Sequence, residues 1–371
     1  MDPADLVAQG RASFAADYAG ARRLFLAAAE RAGARLRAYV NPNRGPGGEE
    51  LATDVAWVGP EDAPNVVALL SGTHGGEGFC GSGIQVDWLT SGAPARLPKG
   101  TAVILLHAVN PYGFAWLRRV TEEGVDLNRN FVDYAQTLPD NPHYDALLEA
   151  WVPDDPSPAS YRAADAKIAA YAKEHGARAV LLARGQGQYT HPLGLHYGGA
   201  APTWARRTEE TILTDYRLAE RKVVAGIDLH TGLGQYGYGE PLCHHPIGSE
   251  PLNRALSWWG ESVSQPASGA GVSIPRFGLT TQGWTRLLGE RVTFVTLEFG
   301  TFPIDVVYDA LRRDQWLHAR KDQFDWNSPT AKTIKAEIRR AFYPDTDSWR
   351  ELTLFRGRQM IRQALNGMAN P

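Results

Sequence analysis

His74-Gly75-Gly76-Glu77 sets an imidazole and a carboxylate at i and i+3, directly after the apolar run Val66-Val67-Ala68-Leu69-Leu70. A run of that length closed by Ser71-Gly72 reads as a buried strand, and the residues after it read as a helix start. The pair therefore falls in the turn at the carboxyl end of a strand, where open α/β sheets place their ligand sites. His and Glu together with a water suit a catalytic zinc, although this spacing alone arises by chance in many chains. His230 offers a third donor. It lies in Ile227-Asp228-Leu229-His230-Thr231-Gly232, after the buried-strand pattern Val223-Val224-Ala225-Gly226-Ile227. By itself His230 reads as a core histidine bonded to a carbonyl; beside His74 and Glu77 it completes the three protein ligands of an open zinc site.

A fourth group sits in Val292-Thr293-Phe294-Val295-Thr296-Leu297-Glu298-Phe299-Gly300. The β-branched and aromatic residues mark a strand apolar enough for burial on both faces. A carboxylate there is costly unless it is paired, protonated or bound to something. Glu298 beside a metal site fits a general base, because burial raises a carboxyl's proton affinity towards the useful range. The structural alternative is a salt-bridged Glu.

The fifth element is Asn110-Pro111-Tyr112-Gly113-Phe114, then Arg118-Arg119, then Val125-Asp126-Leu127-Asn128-Arg129-Asn130-Phe131. With these segments in order, the interval from about residue 65 to about residue 301 resembles the zinc carboxypeptidase family, the funnelins. The resemblance implies His74, Glu77 and His230 as ligands of one zinc per chain, and Glu298 as the base. It also implies Asn128 and Arg129 as the grip on a substrate carboxylate, and Arg119 as the group that polarises the scissile carbonyl, with Arg118 competing for that last role. The chemistry suits the residue types. An Arg fork matches a carboxylate in two parallel hydrogen bonds, which Lys cannot do, and charge held ready at the developing oxyanion helps most.

Some segments look closer to the aspartoacylase and succinylglutamate desuccinylase branch of the same superfamily, namely Thr296-Leu297-Glu298-Phe299-Gly300 and Asp228-Leu229-His230-Thr231. Two enzyme readings follow: a carboxypeptidase-like amide hydrolase acting on a small peptide, and an N-acyl amino acid deacylase. A third, from another class, is a binding protein that retains the fold without catalysis. The substrate-capping tyrosine of digestive-type carboxypeptidases has no clear counterpart, and Tyr236 and Tyr238 in the Gly-rich loop 232–239 are the nearest candidates. Glycines there also permit a mobile lid. The loop 185–199 is rich in Gly and aromatics, and loops over a strand-end site commonly carry specificity. Gln188, Tyr189, His191 and His196 are therefore candidate pocket residues, with a packed surface loop as the alternative.

The elements needed to hold these groups are legible in outline. Amphipathic or apolar periodicity predicts a helix over 5–32, strands over 35–40, 54–58, 65–72 and 101–108, and a helix over 77–90, with a turn over 41–48. Helical stretches are expected near 144–151, 161–175 and 204–220, and again over 331–340 and 349–366. The alternation predicts a three-layer α/β domain whose mixed, largely parallel sheet carries helices on both faces. One domain is expected, with an insertion at about 132–222 and a C-terminal helical segment at about 330–371. His107 is expected to be a core histidine. His244-His245 does not suggest a second zinc, since neighbours on a strand point to opposite faces. Cys80 reads as a small buried hydrophobe.

With 371 residues, 43% of them apolar and 11 of them Trp, the chain can bury a large core. A net charge of −3 gives no basic footprint for nucleic acid or an anionic membrane. No run reaches transmembrane length. The first residues lack the basic start and apolar core of a secretory signal, and two cysteines favour a reducing compartment. The expectation is a cytoplasmic protein, with oligomerisation left open.

Overall fold

The computed structural model describes residues 10–268, 274 and 276–369. A sheet of seven strands runs β1 (Arg35–Arg44), β2 (Glu50–Val58), β3 (Asn65–Ser71), β4 (Thr101–His107), β5 (Val223–Tyr236), β6 (Gly239–Cys243) and β7 (Val292–Gly300). Their spatial order is β1-β2-β4-β3-β5-β7-β6. β4, β3, β5 and β7 are mutually parallel, while β1, β2 and β6 pair antiparallel at the two sides. The helices of nine residues or more are α1 (Tyr18–Arg31), α2 (Gly78–Thr90), α3 (Pro158–His175), α4 (Ala177–Gly185), α5 (Trp204–Asp215), α6 (Glu250–Trp259), α7 (Thr280–Leu288), α8 (Ile304–Ala319), α9 (Pro329–Phe342) and α10 (Asp347–Ala369).

The central strands bury both faces, so their side chains sort by alternation into two cores. Val67, Leu69, Ala225, Ile227, Val295 and Leu297 join α1, α2, α6 and α10 through Phe25, Ile84, Trp259 and Trp349. Val66, Ala68, Leu70, Val224 and Phe294 join α5 and α7 through Ile212 and Trp284. Each fully buried large side chain contributes about 1.5–3 kcal/mol from area removed from water. The expected three-layer α/β arrangement is therefore what the chain adopts. A third core beyond the carboxyl ends of the strands gathers Tyr144, Trp151, Ala183, Tyr308, Ile338 and Phe342.

Several boundaries differ from expectation. Of the helix expected over 5–32, residues 1–9 lie outside the described residues, and α1 starts at Tyr18, where the Asp17 side chain accepts the Gly20 N–H at 2.7 Å. β1 runs on through part of the expected turn to Arg44, with a register shift after Val40. There the Asn41 side chain, not the opposite strand, accepts the Asn43 N–H. β6, α6, α7 and α8 are not among the expected elements, although α6 and α7 bury one clear apolar face. β6 contains Pro241, which a sheet tolerates on its edge, and β6 is an edge strand. Among the described residues no helix is long and apolar enough to cross a membrane.

Candidate metal centre and its cavity

All four groups singled out at strand ends sit at one end of the parallel strands, His230 and Glu298 on the α5–α7 face. His230 pairs directly with Glu298 across β5 and β7, and Asp228 with Thr296, so the four side chains share one face. His74 stands in the extended turn after β3, and Glu77 closes the short 3-10 turn Gly75–Glu77 that leads into α2. That turn is hydrogen-bonded to the segment bearing the two arginines: Gly76 N–H donates to Arg118 O at 2.7 Å and Gly75 N–H to Arg119 O at 3.4 Å. The approach needs glycine, because a Cβ on Gly75 would lie 1.9 Å from the Gly113 carbonyl carbon.

One donor atom from each of His74, Glu77 and His230 lies within 4.8 Å of the other two. The outer Nε2 of His74 is 3.0 Å from Asp126 Oδ1, and that of His230 is 2.7 Å from Asp228 Oδ2. A neutral imidazole donates from one nitrogen and accepts at the other. With both protons on the outer nitrogens, two Nδ1 lone pairs face each other across 3.1 Å. The Glu77 oxygens stand 2.9 Å from His74 Nδ1 and 3.2 Å from His230 Nδ1. Three acceptors turned inward need something positive between them. Burial opposes a charged His230, yet Asp228 and Glu77 hold its proton affinity well above the ordinary histidine range. The donor set, with a carboxylate behind each histidine, fits zinc.

Asp126 is the hub behind the ligands. It is fully buried and takes hydrogen bonds from Arg119 Nε at 3.0 Å and the Asn128 N–H at 3.1 Å, and its Oδ2 lies 3.1 Å from His196 Nδ1. Burial pushes its proton affinity up, but Arg119, Arg129 and His74 outweigh that and hold it well below the usual carboxylate range. Glu298 behaves oppositely. Burial, and then the charge of Glu77, raise its proton affinity, while Leu233 N–H bonds one of its oxygens at 3.1 Å.

A cavity of about 640 Å³ opens over this group. Arg119, Asn128, Arg129, His196 and Tyr236 line it with the four strand-end groups. Arg129 is buried, with Nη1 donating to Asn128 O at 2.6 Å and Nη2 to Gly185 O at 2.7 Å; its Nε has no partner. Asn128 Oδ1 accepts the Thr280 N–H, leaving its amide nitrogen on the cavity side. The remaining candidates lie elsewhere. Arg118 turns away to Asp314 and Gln315. Gln188 spends its amide on the Thr190 and His191 N–H groups and on two carbonyls, the turn chemistry of a packed loop. Tyr189 reaches the Arg129 carbonyl from behind, and His191 pairs with Asp145 at the surface. Tyr238 is exposed and outside the cavity lining. His107 is a core histidine, bonded to Ser82 and stacked on Phe25. His245 accepts the Phe294 N–H while His244 faces the cavity, the opposite orientations expected of neighbours on a strand.

The reading of the sequence missed Asp126, Asp228 and Arg276. The signal for Asp228 was available: a carboxylate two residues before a strand histidine shares its face. Arg276 lines the cavity, its Nε buried without a hydrogen-bond partner and Glu298 its foremost carboxylate neighbour. No local pattern marked it.

No curated protein matches the chain. Among solved structures, an aspartoacylase family protein from Mesorhizobium loti is 15% identical with a TM-score of 0.36, covering 77% of this chain. The chain spans 66% of that protein, just under two thirds of its length. Carboxypeptidase A from Helicoverpa armigera is 12% identical with a TM-score of 0.47, over 94% of this chain and 73% of its own. A succinylglutamate desuccinylase from Chromobacterium violaceum is 14% identical with a TM-score of 0.37, over 87% and 74%. The family described as "Protein of unknown function (DUF2817)" matches residues 14–356, nearly the whole chain, and the chain belongs to it.

Proposed function

We propose that this protein is a zinc-dependent amide hydrolase of the carboxypeptidase type, cleaving an amide next to a free carboxylate. The observation that carries the reading is the inward-facing trio of His74 Nδ1, His230 Nδ1 and Glu77, each histidine backed by a carboxylate on its outer nitrogen. His74, Glu77 and His230 would hold one zinc, which supplies Lewis acidity towards a carbonyl and towards water. Glu298 has one oxygen fixed by Leu233 N–H and a raised proton affinity, so its other oxygen is suited to take a proton from the attacking water and pass it to the leaving nitrogen. Arg119, pinned through Nε to Asp126 and Nη1 to Glu77, keeps Nη2 for the oxygen that gains charge. Asn128 and Arg129 orient the free carboxylate. The deacylase reading uses the same groups.

The test is a profile of the zinc-loaded protein against short peptides and N-acyl amino acids, each as free acid and as amide. Free acids should be hydrolysed and amidated forms should lose most turnover. Glu298→Gln should keep zinc and fold yet slow turnover about a hundredfold or more. Equal rates on free and amidated substrates would refute the carboxylate grip, and a wild-type rate in Glu298→Gln would move the base elsewhere.

A further inference from the structure

The cavity has two chemically distinct sides. One is the polar face just described, where Arg119, Arg129 and Arg276 gather around the carboxylate-binding end. The other is apolar and comes from elements beyond the sheet: Leu181 on α4, Ile304, Val307 and Leu311 on α8, and Phe342 at the end of α9, with Leu233 beside them. Val307, Leu311 and Phe342 belong to the third core with Trp151 and Ile338, so this wall is packed from behind and already formed. Its rim is the opposite. Leu181 is 44% exposed and Ile304 39%, large aliphatic side chains left in water at the mouth of a site. Isolated exposed apolar residues are ordinary, but a rim continuous with a buried apolar wall marks a binding surface.

The wall begins next to the metal ligands. The Phe342 carbonyl accepts the Thr231 hydroxyl at 2.8 Å, and the neighbouring Thr231 N–H donates to Glu77 at 2.8 Å. Phe342 and Val307 also stand over Gly232, where an added Cβ would lie 3.1 Å from Phe342 and 3.7 Å from Val307. The polar end is equally close: Asp126 touches His74 and the Asn128 N–H at once. A carboxylate held at Asn128–Arg129 therefore needs only an amino-acid link to reach the metal ligands. A space of about 640 Å³ far exceeds that link and lies in the range that holds a drug-sized ligand.

Resting on the hydrolase reading, we propose that the substrate is amphiphilic: a free carboxylate at the arginine end and a bulky apolar group, alkyl chain or aromatic ring, along the α4–α8 wall. The apolar group could be the acyl part of an N-acyl amino acid or the side chain next to the carboxylate. Two substrate series separate these sources: N-acylglycines lengthened from acetyl to decanoyl, and N-acetyl amino acids from alanine to phenylalanine and leucine. In one of the two, kcat/KM should climb by about fourfold per methylene buried. Leu181→Asp and Ile304→Asp should flatten that climb. Calorimetry with zinc-loaded Glu298→Gln gives a reading apart from turnover, with N-decanoylglycine or N-acetylphenylalanine binding at least tenfold tighter than N-acetylglycine. Flat profiles in both series and equal affinities, with carboxylate-dependent hydrolysis intact, overturn this proposal and leave the hydrolase reading standing. Tight, length-dependent binding without hydrolysis of any amide would keep the amphiphile and remove the enzyme. Failure of both measurements removes both.

Discussion

Arg118 and Arg119 are adjacent in the chain and belong to two buried charged clusters of opposite character. Arg118 enters one built with Asp314, Gln315, His318 and Lys335. Lys335 Nζ donates to Asp314 at 2.6 Å, His318 Nε2 at 2.7 Å and Trp116 O at 2.8 Å, and Arg118 Nε lies 3.5 Å from the other Asp314 oxygen. There opposite charges meet, although Arg118 Nε makes no hydrogen bond, and burial lowers the Lys335 proton affinity to about 8 against the pull of Asp314. Arg119 enters the other, where one donor atom from each of His74, His230 and Glu77 lies within 4.8 Å of the other two. Both are buried and rich in charge. The difference is convergence: the first cluster spends its charges on one another, whereas the second turns one donor atom from each of three side chains towards a common point at a cavity. Burial of charge is therefore not what marks a site; convergence of donor atoms at a cavity is.

The largest effect that could break this contrast is loss of metal. The wild-type chain should hold about one zinc, the number three protein ligands support. His74→Ala with His230→Ala should hold almost none by elemental analysis after dialysis, and full occupancy would sink the assignment. The opposite behaviour is expected of Asp314→Ala, which strands two buried cations. It should lose about 3–5 kcal/mol of stability by denaturant midpoint while keeping its zinc. A change under about 1 kcal/mol would show that the Arg118 cluster is not the ionic unit described. Asp228→Asn preserves shape and removes the charge behind His230. Its zinc affinity should fall by about 10–100-fold in competition with a chelator. Unaltered affinity would separate the outer carboxylate from the metal.

A last effect, read only through pH, concerns Glu209, a carboxyl outside both clusters that accepts the Trp284 indole N–H. Burial lifts it from an ordinary 4.5 to about 8. Between those values the unfolded chain ionises this group and the folded chain does not, so stability should fall as pH rises from about 4.5 to about 8 and level off above. Glu209→Gln should flatten that part of the profile, gaining stability at pH 8.5 relative to pH 5 in thermal melts. A slope identical to wild type would place the pH dependence on other groups.

The sequence made the strand-end groups legible because each lies in a local pattern, an apolar run followed by a polar residue or a glycine turn. His74, Glu77, His230 and Glu298 need only that pattern to be placed. The parallel register that sets His230 beside Glu298 joins residues far apart in the chain, and the strand runs imply it without fixing it. What escaped notice came from two sources. Asp126 and Asp228 stood inside recognised segments, but their work is done on side chains of other segments. Leu181 and Phe342 come from helices whose position depends on packing beyond the sheet, and Arg276 from an irregular segment before α7, for which no spacing rule exists. Gln188 and His191 follow the packed-loop alternative for a related reason: a polar loop residue looks the same in sequence whether it faces a ligand or folds its own turn.

The contact between the Gly75 turn and the Gly113 turn bears on how such a protein can diversify. A Cβ at Gly75 would fall 1.9 Å from the Gly113 carbonyl carbon and 2.1 Å from the Phe114 nitrogen, and one at Gly113 would fall 2.7 Å from Val120 O. Gly75 cannot acquire a side chain unless the Gly113 turn retreats, and Gly113 cannot unless Asn110 and Val120 do; the first turn bears two donors of the metal trio while the second opens the segment that leads to Arg119. Leu181 and Ile304 have no such constraint, being exposed at the rim. Random substitution would thus be rejected at the hinge of the two turns and tolerated at the rim, so relatives could exchange one substrate for another by drift on α4 and α8 while the chemistry stayed fixed.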